Sequence, residues 1–136
     1  MNNSSVILAS GLFLSWVGSA AAQEQVALAP TPLDLSGPWQ FAALYNNGGY
    51  GYATPVCILQ QAGARLSGTC KGPNSMGAVA GFIRGQEVEL RWEAVAYTGV
   101  GGTGPVMFKG TLHSDKNMSG ITDVLGRSGS FTAVRP

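Results

Sequence analysis

Few residues of this chain can act as nucleophile, base or metal ligand, and their order does not assemble a reaction centre. The one histidine, His113, precedes Ser114 and Asp115. A catalytic histidine needs a nucleophile or carboxylate brought to it by the fold. Side by side in the run Ser114-Asp115-Lys116-Asn117, these residues make turn chemistry instead, because short polar side chains bond the backbone next to them. Cys57 and Cys70 lack the ligand spacing of a zinc site, so neither a metal nor a cofactor is expected. Gly101-Gly102-Thr103-Gly104 has no helix pattern after it, unlike a phosphate loop. Asp123 is the one carboxylate of interest. Facing inward, it would anchor a ligand donor or pair with Arg127 or Arg135; facing outward, it would be solvated. Its face depends on whether the 114–117 loop counts as three or four residues, and both stay open. The expectation is a protein that is not an enzyme.

Composition narrows the partners. A chain of 136 residues has one domain as its prior. With 45% hydrophobic and 11% charged residues it is apolar enough to fold. A net charge of +1 offers no basic surplus for phosphates, so nucleic acid is not an expected partner. No run of like charge marks a membrane-surface patch.

The first 22 residues read as a signal peptide. Val6–Val17 is apolar and uncharged, and Ala20-Ala21-Ala22 is an A-x-A cleavage site before Gln23. The apolar stretch is short of the about 20 residues a membrane span needs. Residues 2–5 carry no Lys or Arg, so an uncleaved N-terminal anchor is the alternative. Cleavage after Ala22 would leave a periplasmic or secreted protein with no membrane contact. A linker over 23–35, broken by Pro30 and Pro32, then leads into a barrel domain over 36–136.

Short apolar runs separated by Gly-rich breaks predict strands at 38–45, 54–61, 65–71, 78–84, 87–95, 105–113, 118–125 and 129–135. Val88, Leu90, Trp92 and Ala94 alternate with Glu87, Glu89, Arg91 and Glu93, giving one buried and one solvated face at period two. Eight even strands without a helical period predict an all-β, eight-stranded antiparallel up-and-down β-barrel. The inward set is Trp39, Phe41, Ala43, Cys57, Leu59, Leu66, Gly68, Val79, Gly81, Ile83, Val88, Leu90, Trp92, Val106, Phe108, Leu112, Phe131 and Ala133. A barrel of this size is just wide enough to be filled by side chains or to hold one small ligand. These aromatics leave room for a small pocket at most, and the inward glycines make space for them. Outward Phe82 and Met107 hint at a face for a homo-oligomer.

The register tests the cysteines. A two-residue turn at Gly63-Ala64 pairs Ala62 with Arg65, Leu59 with Gly68 and Cys57 with Cys70. The last is a non-hydrogen-bonded pair, with Cα atoms about 4.5 Å apart, which a disulfide spans. In an exported chain an even cysteine count reads as a disulfide; two free core thiols are the alternative.

In an up-and-down barrel alternate loops share an end. The loops QAGA, RGQ and HSDKN are tight. Those at 46–52, 72–77, 97–103 and 126–128 are longer or Gly-rich, and they collect at the other mouth, the usual ligand location in such folds. Tyr45, Asn46, Asn47, Tyr50, Tyr52, Tyr97 and Phe108 are the candidate lining, rigid rings beside adaptable polar groups. The alternative is that these loops only connect strands.

Gly37-Pro38-Trp39 on the first strand and Arg135 on the last make the span Gly37–Pro136 resemble the calycin barrels, avidins and lipocalins among them. The resemblance implies that Arg135 packs over Trp39. Bacterial avidins look most similar, with Phe108-Lys109-Gly110 in place of a Trp-x-Gly strand and Phe131-Thr132-Ala133-Val134-Arg135-Pro136 as the closing motif. The biotin site does not carry over. Phe41 stands where avidins place an Asn, Val106 and Phe108 where they place Thr and Trp, and Gly129 where they place an Asp. Two further avidin Trp positions fall near Ala96 or Tyr97 and near Asp123. Fold does not carry function, and biotin is not the expected ligand. The chain also resembles the bacterial metalloprotease-inhibitor barrels, small periplasmic proteins with a G-x-W opening and one disulfide, which implies that Gln23–Leu35 would enter a protease cleft. The expected function is therefore binding of a small molecule or peptide at the open end, with a protease inhibitor or a structural cell-envelope protein as alternatives.

Overall fold

The computed structural model describes residues 32–46, 48–97 and 102–136. Strands β1 (Gly37–Asn46), β2 (Tyr50–Ala53), β3 (Val56–Ala62), β4 (Arg65–Lys71), β5 (Ser75–Arg84), β6 (Glu87–Ala96), β7 (Gly104–Ser114), β8 (Asn117–Val124) and β9 (Arg127–Val134) follow one another along the chain. From β3 to β9 each strand pairs antiparallel with the next, and β1 pairs antiparallel with β2, β3 and β9, so the sheet closes. β2 and β3 are one stave, both pairing with β1, β2 at Ala43–Asn46 and β3 at Gly37–Gln40. The result is a closed eight-stave antiparallel barrel.

Several boundaries differ from the expected ones. The second strand, expected at 54–61, breaks at Thr54-Pro55, because Pro has no N–H for the ladder. The Pro55 carbonyl still accepts from Phe41 N at 2.9 Å, so pairing resumes across the break. Tyr50–Ala53, expected as loop, is strand because β1 runs past the break and offers it a partner. β5 starts at Ser75 instead of 78, and the β8–β9 turn is Leu125-Gly126 instead of 126–128.

The registers at the tight end are those the turns demand. Ala62 pairs with Arg65, Cys57 with Cys70, Ile83 with Val88 and Gly81 with Leu90. Cys57 and Cys70 form a disulfide across Cα atoms 4.0 Å apart. A register shift between Leu112 and Ser114 marks a bulge, which adds one residue to the β7 side. That bulge decides Asp123: Met118, Thr122 and Val124 are buried, Asp123 alternates outward, and its Oδ1 accepts from Gly126 N at 2.8 Å. The carboxylate caps a turn and anchors nothing inside.

The non-glycine residues of the expected inward set are all buried. Phe41, Phe108 and Phe131 meet in one cluster, with centroids 4.4 Å (Phe41–Phe108), 5.0 Å (Phe108–Phe131) and 5.6 Å (Phe41–Phe131) apart. Gly110 makes room for it, since a Cβ there would stand 2.7 Å from Phe131 Cζ. Outside, the Arg84 guanidinium covers Phe82 at 4.7 Å from its centroid.

The tight end is plugged. Leu35 is fully buried, and Trp39 Nε1 donates to its carbonyl at 2.9 Å. Gln61 clasps the same segment, accepting from Leu35 N and donating to Leu33 O, both at 2.8 Å. Arg135 lies over the Trp39 ring at 4.8 Å, and its Nη2 donates to Asp34 O at 2.8 Å. Leu33–Leu35 therefore belongs to the barrel and not to the linker, because Leu35 covers the apolar floor beside Trp39. The signal peptide 1–22 and residues 23–31 lie outside the described residues.

Candidate ligand site at the open mouth

At the opposite end, described residues of β1, the β2–β3 stave, the β4–β5 loop, β6, the start of β7 and the β8–β9 turn line a cavity of about 270 Å³. Tyr45, Tyr52 and Thr54-Pro55 form one wall, and Gly72–Ser75 from the β4–β5 loop the next. Trp92 and Ala94 come from β6, Gly102 and Val106 from around β7, and Val124 and Leu125 from the end of β8. None of the described lining residues carries a charge. The lining residues are mixed: Tyr45, Tyr52, Thr54, Asn74 and Ser75 carry polar groups, and Pro55, Val106, Val124 and Leu125 are aliphatic. The volume is slightly below the range of about 300–1,000 Å³ usual for ligand pockets.

The seven expected lining residues divide. Tyr45 and Tyr52 line the cavity. Tyr50 does not; it is 81% exposed and shares the outward face of β2 with Tyr52, 74% exposed, which borders the cavity because it stands nearer the Thr54-Pro55 break. Asn46 accepts from Gly48 N at 3.1 Å and shapes the hairpin turn. Asn47 lies outside the described residues. Tyr97 is a clamp: its hydroxyl donates to Gly72 O at 2.8 Å and Pro73 O at 3.0 Å, and its N–H to Asn74 O at 3.1 Å. Phe108, expected at the mouth, is 1% exposed inside the phenylalanine cluster, because its register partners Leu90 and Thr122 sit well down the barrel.

Two residues that border the cavity were not in the expected lining. Trp92 read as core from its place in the β6 alternation, and it is 6% exposed; yet it lines the cavity. Its Nε1 is buried without a hydrogen-bond partner among the described residues, although buried donors are normally satisfied. Leu125 was hidden inside an expected strand. It has φ 56°, the one non-glycine residue with positive φ among those described, and Gly126 follows at φ 84°. Positive φ at both central residues is a type I′ turn, which favours Asn-Gly. Leucine in the left-handed region costs roughly 1–2 kcal/mol. The side chain lies where neither Gly102 nor Gly104 has a Cβ: added Cβ atoms would stand 2.5 Å from Leu125 Cδ1 and 2.8 Å from Cδ2.

His113 Nε2 and Ser119 Oγ are 2.6 Å apart on the outer wall, but no described carboxylate bonds either of them, and both are away from the cavity. Among the described residues no cluster of three His, Cys, Asp or Glu is placed to hold a metal. No protein family model matches this chain, and no curated protein matches it.

Proposed function

We propose that the chain is an exported, non-enzymatic barrel that binds a small molecule at its open loop end. The observation that carries this reading is the half-polar cavity of about 270 Å³ at that end, with no charged side chain among its described lining residues. A barrel plugged at one end by Leu35 leaves the loop end as its mouth. The disulfide supports an oxidising compartment, periplasmic or extracellular. Kinship with calycins is supported by Arg135 stacked on Trp39. Against biotin stand Phe41 and Phe108, apolar and buried where avidins place polar or indole donors.

The test is native mass spectrometry of the protein purified from its own exported fraction. A retained small-molecule mass is expected. A bare mass after gentle isolation, with no small molecule recovered on denaturation, counts against the reading. Deletion of residues 23–31, which leaves the Leu33–Leu35 plug in place, separates off the protease-inhibitor alternative: on the proposed reading it changes no binding at the mouth.

A further inference from the structure

We infer that the open edge of β2 takes up an extended peptide segment as an added strand. This goes beyond the small-molecule reading and rests on the sheet edge instead of the cavity.

The alternation of the ladder fixes which backbone groups are bare. Phe41 N–H donates to Pro55 O, so on β1 Phe41, Ala43 and Tyr45 turn their backbone groups toward the β2–β3 stave. The partner of Ala43 there is Ala53, and that of Tyr45 is Gly51. Gly51 and Ala53 are therefore bonded to β1, and Tyr50 and Tyr52 turn N–H and C=O the other way. On that side β4 pairs with β3 but ends at Lys71, opposite Val56. The residues that follow are committed elsewhere. Gly72 N–H donates to Ser75 O, the carbonyls of Gly72 and Pro73 accept from the Tyr97 hydroxyl, and that of Asn74 accepts from Tyr97 N–H. Pro73 has no N–H to offer. Among the described residues no strand pairs with this edge of β2. A closed barrel ordinarily leaves no edge; this one leaves the backbone groups of two tyrosines in a row.

The surroundings suit an added strand. Tyr52–Pro55 and Gly72–Ser75 line the same cavity, so space and not described chain lies beside the edge. The edge sequence Tyr-Gly-Tyr-Ala has no Lys and no Pro, the residues that keep other strands from adding. Tyr50 and Tyr52 present exposed rings on the outer face. Side chains of the residues paired with them would lie beside those rings, where β-branched or aromatic partners are favoured. The residue between would turn toward the mouth, whose described lining has no charge, so an uncharged side chain fits there. Recognition of this kind reads the main chain through hydrogen bonds and alternate side chains through contact.

The experiment selects a displayed library of random hexapeptides on the purified protein and synthesises the enriched peptide with blocked ends. Segments with β-branched or aromatic residues at alternate positions and an uncharged residue between them should be enriched. On the wild-type protein the bound peptide should slow hydrogen exchange of the Tyr50 and Tyr52 amides about tenfold or more, while those of Gly51 and Ala53 are slow without it. N-methylating the peptide at alternate residues should weaken binding about tenfold in one phase, the one facing β2, and spare it in the other. Tyr52→Pro removes an N–H that bonds nothing in the barrel, so the variant should fold and bind the peptide about tenfold more weakly, whereas Tyr52→Val keeps the N–H and should bind within about threefold. A selection that enriches no sequence, or a bound peptide that leaves the Tyr52 amide exchanging as before, overturns the proposal. Equal loss from both methylation phases overturns it too, without any change to the protein. A dimer that protects both tyrosine amides in the absence of peptide assigns the edge to a second copy instead and likewise overturns it. Each of these failures leaves the small-molecule reading of the cavity as it stood.

Discussion

The ring of Tyr45 lies across Gly51, its cross-strand partner, so closely that a Cβ at position 51 would stand 2.6 Å from Cε2 and Cζ. The glycine is what lets the ring lie flat against the mouth wall, and Tyr45 is the only one of the four tyrosines both packed on the core and lining the cavity.

Gly51→Ala should therefore push the Tyr45 ring aside. The clash is with the far end of a side chain, so stability should change by less than about 1 kcal/mol. Binding of the small molecule at the mouth should fall. A melting curve and a titration with that molecule read the two separately; a large stability loss with binding intact would contradict this account.

Tyr50 and Tyr52 sit two residues apart on the same short strand, yet only Tyr52 lines the cavity. Tyr52→Ala should weaken small-molecule binding severalfold and Tyr50→Ala should leave it unchanged, with both variants folded. Equal losses would mean that the exposed Tyr50 ring also reaches the ligand.

The Cys57–Cys70 bridge closes a short loop, with a sequence separation of 13. Replacing both cysteines with serine should cost about 2–4 kcal/mol in denaturant unfolding. The intact protein should weigh two hydrogens less than its reduced form. A variant as stable as the parent would show that the hairpin turn alone holds this register.

Asp34 has a pKa lowered from the ordinary value near 3.8, first because Ser36 N–H donates to its Oδ1 at 2.9 Å, then through the Ser36 hydroxyl, with a smaller pull from Arg135. A carboxylate whose folded pKa lies below its unfolded one contributes stability above the unfolded value, and that stability is lost as pH falls through the folded pKa. Its carboxyl carbon resonance should titrate below pH 3.8, and Asp34→Asn should remove that part of the acid dependence. A midpoint at or above the ordinary value would remove the Ser36 contact from the account.

Ser119 and His113 form a hydrogen bond with no carboxylate behind it among the described residues. A fluorophosphonate probe should leave Ser119 unlabelled at concentrations that saturate a serine hydrolase. Labelling that disappears in His113→Ala would show an activated serine and reopen the enzyme question.

Much of this molecule was legible from residue order because the governing interactions are local. In β6 the alternation of Val88, Leu90, Trp92 and Ala94 with charged neighbours can bury only one face, and all four are buried. The Gly63-Ala64 turn sets every pair out to Cys57–Cys70, since a hairpin register propagates from its turn. Trp39 and Arg135 are 96 positions apart in the numbering, and only the G-x-W resemblance brought them together in advance.

The site was less legible, because it depends on where strands end and not on how they alternate. Tyr50–Ala53 carries too little apolar patterning to read as strand and becomes one only because β1 extends past Pro55. Asp123 could not be assigned a face until the bulge between Leu112 and Ser114 was known, since one extra residue reverses every side chain beyond it. Phe108 and Trp92 look alike in sequence, aromatic residues on alternating strands; their heights in the closed barrel put one in the phenylalanine cluster and the other beside the cavity. By itself, then, the sequence determined the eight staves, their buried faces and the disulfide, because period-two burial and turn geometry act over a few residues. Tertiary structure alone decided which end is plugged, which ring meets the cavity and why Leu125 accepts a strained backbone, because those depend on side chains from distant staves meeting at one height of a closed sheet.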